Sequence, residues 1–158
     1  MRGPDPPATR RIGRGLKALP PAPLRLLAED AEDLAVISAA LQDAVAKLGD
    51  IAWDAKGRRL TIVFNRFRWE TGRGERVRSA LQLSGVMAVQ ARRLRQGASE
   101  AVVQLLAAAF EPGEAPGGTI LLRFAGDADL RCVVECVDAV LADVSAPWPA
   151  RRAPSHEA

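Results

Sequence analysis

Apolar positions along this chain follow two different periods, and the change from one to the other outlines the fold. Leu34, Ile37 and Leu41, with Ala44 after them, recur at helical spacing and predict one amphipathic helix of about twelve residues. Glu29, Asp30, Glu32 and Asp33 lie at its start, where carboxylates suit the positive end of a helix, and Asp30 is the predicted N-cap. Before it, Leu24 to Leu27 reads as a short strand. From Val45 the period becomes two. Strands over 48–54 and 58–69 are predicted to pair through the turn Asp54-Ala55-Lys56-Gly57, with Gly57 taking a positive backbone angle. Val77, Leu81, Leu83, Met87, Val89 and Ala91 then alternate along a long strand that Ser84-Gly85 bends. Residues 101–110 are an apolar run that suits a helix or a buried strand, and the turn-rich segment from Glu111 to Gly118 after it favours a strand. Thr119 to Phe124 forms another strand, and Leu130 to Val144 the last.

The stretch from Leu60 to Glu70 is the most distinctive. Leu60, Ile62 and Phe64 share one strand face, whereas Phe67 and Trp69 have the opposite parity, so the apolar face switches at Asn65. A bulge at Asn65-Arg66 would return Phe67 and Trp69 to the inner face and send Arg68 outward. The ending then offers an exposed guanidinium pair, Arg66 and Arg68, beside aromatic edges, suited to phosphate or carboxylate recognition. The same residues also suit a core strand with a solvated outer face, since arginine stems cover apolar surface without binding anything.

These elements predict an α+β fold: one N-terminal helix packed on a mostly antiparallel sheet of about six to seven strands, a sheet that can curl toward a pleckstrin-homology-like barrel. The chain has 158 residues, 48% of them hydrophobic, which suits one domain with a real core. Residues 1–22, with five prolines, Arg10, Arg11, Arg14 and Lys17 and no period, read as a disordered basic arm. Residues 23–148 form the domain and 149–158 a tail, and Trp148 between prolines, where the two meet, is suited to docking on the surface.

Charge alters this picture little. The net charge is +3, but residues 58–95 carry ten arginines against Glu70 and Glu75, while 96–145 carry eight acids against Arg123 and Arg131. Acidic and basic blocks can neutralise each other once folded. No long apolar segment suits a membrane span, and no secretion signal is recognisable. With two cysteines, Cys132 and Cys136, no disulfide framework is needed, so a reducing cytoplasm is the expected location. Four residues apart on a strand they would share one face roughly 13 Å apart, too far for a disulfide. No third cysteine completes a metal site, and the one histidine, His156, lies in the tail, so neither a metal nor a cofactor is expected. Gly72-Arg73-Gly74 and the glycines from Gly113 to Gly118 lack the strand-to-helix setting of a phosphate loop and read as turns.

The run from Leu26 to Ala44, together with Gly49-Asp50-Ile51-Ala52, Asn65 to Glu70, Phe110-Glu111-Pro112-Gly113 and Pro147-Trp148 through His156, resembles bacterial domain-of-unknown-function family 2948 across residues 24–157. The resemblance implies a small single-domain bacterial protein and supplies no catalytic residue. It marks Leu41-Gln42-Asp43, Asn65 to Glu70 and the tail as recurrent parts of the family pattern.

The expected function is a non-catalytic interaction or anionic-ligand-binding module, its face built from Arg66, Arg68, Asn65, Trp69, Glu70 and Asp43. Its partner would be a protein or an anion. An enzyme without a recognisable motif is the second reading, with Asp43, Asp50, Asn65 and Glu70 converging at the helix–sheet junction. The third is a weak nucleic-acid binder through an arginine-rich face, disfavoured because the aromatics available for stacking are the ones the core requires.

Overall fold

The computed structural model describes residues 22–151, so the predicted arm before Ala22 and the tail after Arg151, His156 included, lie outside the described residues. Strand β1 (Arg25–Ala28) leads into helix α1 (Ala31–Ala40). Then follow β2 (Val45–Lys47), a 3-10 turn (Leu48–Asp50), β3 (Ile51–Asp54), β4 (Arg59–Phe67), β5 (Glu75–Ser84) and β6 (Val86–Arg92). The chain continues through β7 (Val102–Pro112), β8 (Gly118–Phe124), β9 (Ala128–Val134), β10 (Ala139–Asp143) and β11 (Trp148–Pro149). The strands join in the order β1-β10-β5-β4-β2-β7-β8-β9-β6, with β3 added to β4 and β11 to β5. Every pairing is antiparallel.

The α+β architecture therefore stands, but among the described residues the sheet has eleven strands rather than six to seven and stays open, ending at β1 and β6 instead of closing into a barrel. The extra strands have identifiable origins. Gly85, at a φ of 67° that a side chain would strain, breaks the expected long strand into β5 and β6, which pair with different neighbours. At the same corner, Ser84 N donates to Asp138 O and Glu135 N to Gly85 O, which splits the last predicted strand into β9 and β10. The short β2 and β11 complete the count, and β11 docks Trp148 opposite Arg76.

Helix α1 begins as its sequence indicates, with Asp30 Oδ1 accepting from Asp33 N at 2.8 Å. It spans ten residues, ending where Leu41 N bonds to both Ile37 O and Ser38 O. Its stripe of Leu34 and Ile37 is fully buried against the same core as Leu60, Ile62 and Phe64 of β4, Leu81 and Leu83 of β5, and Leu122 and Phe124 of β8. The β3–β4 hairpin forms as predicted, but the positive φ falls on Arg58 (56°) rather than Gly57, whose N–H is held by Asp54 Oδ1 at 2.9 Å. Residues 101–110 fall mainly in strand β7, flanked by β2 and β8.

The expected bulge at Asn65-Arg66 is absent. Strand β4 keeps an unbroken register with β5 from Arg59↔Ser84 to Phe67↔Arg76. Arg66 thus continues the inward face of Leu60, Ile62 and Phe64. The two cysteines also part company: Cys132 is buried in β9, whereas Cys136 lies past its end and is exposed. Burial pushes the Cys132 thiol up to about 12. A thiol reagent should therefore label one cysteine, Cys136, in the native protein, with Cys132 reacting only on unfolding; mass spectrometry of the labelled peptides checks this.

Candidate functional site

Arg66 and Arg68, the arginines expected to face solvent, are both buried, at 0% and 2% exposure. Strand parity carries Arg66 inward, and its guanidinium finds a partner for every donor. Nε bonds Ser79 Oγ at 2.9 Å, Nη1 bonds Glu70 Oε1 at 3.0 Å, and Nη2 bonds Glu70 Oε2 at 2.8 Å and Asp143 Oδ1 at 3.0 Å. Ser79 in turn donates to Asp143 Oδ1 at 2.6 Å, and Asp143 Oδ2 accepts from Leu24 N at 2.8 Å. One ion cluster thereby ties β4, β5, β10 and the approach to β1 together.

Arg68 is fixed in the same region, with Nη1 on Glu75 Oε1 at 2.9 Å and Nε 3.9 Å from Glu70 Oε2. Burial works against the Arg66 charge, but the hydrogen bonds to Glu70 and the field of Asp143 outweigh it and hold the guanidinium above its ordinary value. The hydrogen bonds from Arg66 hold the Glu70 carboxyl below its ordinary value, against partial burial. These arginines are therefore internally neutralised, not an open fork awaiting an anion. Trp69 is likewise not inward: it is 37% exposed and packs edge-to-face on the buried Phe67, with centroids 4.7 Å apart.

The remaining candidate residues lie on the opposite face of β4. Asn65 and Asp50 line a narrow cleft of about 100 Å³ with Lys47, Val63, Arg78 and Val102. Asp43 stands beside this row, its Oδ1 accepting from Gln104 Nε2 at 2.9 Å, and Gln104 is paired with Val45, the neighbour of Asn65. Asp50 and Asn65 thus meet, with Asp43 near them, but Glu70 is held on the other side of the strand by Arg66. The cations of this cleft already have acids: Lys47 binds Glu100 at 2.9 Å, and Arg78 lies 3.9 Å from Asp50. No group of three or more histidine, cysteine or acidic side chains is placed to hold a metal among the described residues.

A larger cleft, which the sequence did not point to, sits at the opening of the sheet. Among the described residues β3 is paired only with β4 and β6 only with β9, so their free edges border a seam. The segment between β6 and β7 crosses part of it, with Leu48 N bonded to Ala101 O at 2.8 Å and Gly49 N to Ser99 O at 2.9 Å. Gly49 suits this close approach, since a Cβ would stand 3.0 Å from Ser99 O. The cleft left in the seam measures about 360 Å³. Its walls are Ile51 and Trp53 of β3, Ala91, Leu94 and the core residue Leu130, and Arg95 lies at its polar margin. Arg92 and Arg93 are both drawn to Asp127, whereas the Arg95 guanidinium meets no carboxylate among the described residues. Trp53, 37% exposed, forms a wall of this opening rather than part of the core. Among the described residues, no helix is long and apolar enough to cross a membrane.

The family model described as Protein of unknown function (DUF2948) matches residues 24–156. No curated protein matches the chain. No solved structure matches it either.

Arg66→Met strands Asp143 in the interior and should cost about 3–5 kcal/mol in urea denaturation, much of it recovered in Arg66→Met with Asp143→Leu; equal losses in the two variants would contradict the pairing. Because the Glu70 carboxyl is lowered on folding, its contribution is present above the ordinary value of 4.5 and is lost as pH falls through the lowered folded value. The melting-temperature gap between wild type and Glu70→Gln should accordingly be widest near neutrality and close in strong acid.

Proposed function

We propose that this chain, which belongs to the family described as Protein of unknown function (DUF2948), is a non-catalytic binding module whose ligand combines an apolar body with an anionic group and occupies the seam cleft between β3 and β6. The observation that carries this reading is the pairing of an apolar opening with a guanidinium, Arg95, that meets no carboxylate among the described residues. Binding sites are concave, mostly apolar and supplied with a few polar groups that fix orientation. Ile51, Trp53, Leu94 and Leu130 supply the apolar surface, and Arg95 offers a planar fork for a carboxylate or phosphate.

The anion-binding character expected from the sequence is kept, but it moves from Arg66 and Arg68 to Arg95. Arg66 cannot serve without breaking its bonds to Glu70, Ser79 and Asp143. A binding role is favoured over catalysis because the seam offers no carboxylate pair, histidine or thiol among its lining residues.

The chain contains three tryptophans, so indole N–H signals in two-dimensional NMR provide a direct assay. Titration with decanoate should shift the Trp53 indole and leave those of Trp69 and Trp148 in place, with decanol binding more weakly. Arg95→Ala should weaken decanoate about tenfold, the scale of one charge-assisted hydrogen bond. An unmoved Trp53 signal at millimolar decanoate would dismiss the reading.

A further inference from the structure

Strand β3 presents a bare edge beside the cleft. Its sequence, Ile51-Ala52-Trp53-Asp54, contains neither lysine nor proline, the residues that commonly guard an exposed edge. The facing β6 is irregular instead: its pairing with β9 shifts register between Val86 and Ala88, and Arg92 at its end is held by Asp127 and Asp129. One edge of the seam is thus suited to accept another strand.

The row already contains the chain's own version of that contact. The line from Val45 through Asp54 is flanked first by Val102–Gln104 of β7, which pairs with β2. Next come Ala101 and Ser99, whose carbonyls accept from Leu48 and Gly49. Beyond them, facing Ile51–Asp54, no strand is paired among the described residues. Ile51 and Trp53, two apart, both line the cleft, so an added strand would lay alternate side chains over the apolar walls while its backbone bonds to β3.

We propose that the occupant of this cleft is an extended segment of a partner protein, with apolar side chains at alternate positions and acidic side chains between them, adding as a strand to the free edge of β3. This deepens the binding-module reading and rests on it. Charge selects the acidic partner. Arg93 and Arg95 stand beside the seam, so the chain's own N-terminal segment, with Arg10, Arg11, Arg14 and Lys17, would meet like charge there. A second copy joined edge to edge through β3 would bring Arg95 toward its counterpart.

The test uses the full chain and the peptide acetyl-Val-Glu-Leu-Glu-Val-amide, followed by the Trp53 indole signal and by amide hydrogen exchange. Two analogues keep every side chain but carry backbone N-methyl groups on one or the other alternating set of residues. Strand addition predicts protection of alternate amides in residues 51–54. It also predicts that one analogue binds at least tenfold more weakly than the parent while the other holds its affinity, because only one set of N–H groups faces β3. Arg95→Glu should weaken the peptide at least fivefold. Equal binding by the parent and both analogues would overturn strand addition and leave the binding-module reading standing, as would decanoate binding without peptide binding. If neither decanoate nor the peptide moves Trp53, both readings fall.

Discussion

A guanidinium without exposed surface has to satisfy five N–H donors and one positive charge from within the protein, and the way Arg66 does so fixes the geometry at one end of this domain. Its partners come from two other strands and from the loop after β4: Ser79 on β5, Asp143 on β10 and Glu70 beyond β4. Asp143 then reaches Leu24 ahead of β1, so the cluster spans a sequence separation of more than a hundred residues. Such a cluster is a weak source of net stability, because removing charges from water offsets most of their attraction. Its consequence is specificity of arrangement. A slip of β4 by one residue would expose Arg66 and leave Asp143 without its cation.

The other end of the domain has the opposite character. Where the ion cluster locks β1, β10, β5 and β4 together, the seam between β3 and β6 is, among the described residues, left unpaired and bridged by the segment before β7. Gly85 produces this division, since its positive φ turns the chain out of β5 and into β6, away from the neighbours of β5. A closed sheet would have no such opening. The cleft, the exposed face of Trp53 and the position of Arg95 are therefore consequences of one corner.

Arginine burial also changes how the basic block of the sequence is to be understood. Ten arginines in residues 58–95 suggest a charged face. Two of them are interior, and others meet acids brought by distant segments: Arg58 meets Glu135, Arg78 lies near Asp50, and Arg92 meets Asp127 and Asp129. Arg95 differs from these by its position at a cleft, not by anything in its local sequence.

Periodicity determined the helix and much of the core, because side chains within one element face the interior at fixed intervals, while cap and turn residues supplied the Asp30 cap, the β3–β4 hairpin and the strand character of residues 101–110. It carried a hint of the ion cluster as well: Ser79 interrupts the inward series Val77, Leu81, Leu83 of β5, a polar residue at a position that demands a partner. It could not name that partner. A bulge at Asn65-Arg66 would restore the aromatic pattern, whereas the unbroken register with β5 turns Arg66 inward and leaves Trp69 outside. The breaks at Gly85 and after Val134, the open seam and its cleft arose from which strand lay beside which. Those are pairings between residues far apart in the chain, and local spacing carries no information about them until the chain has folded.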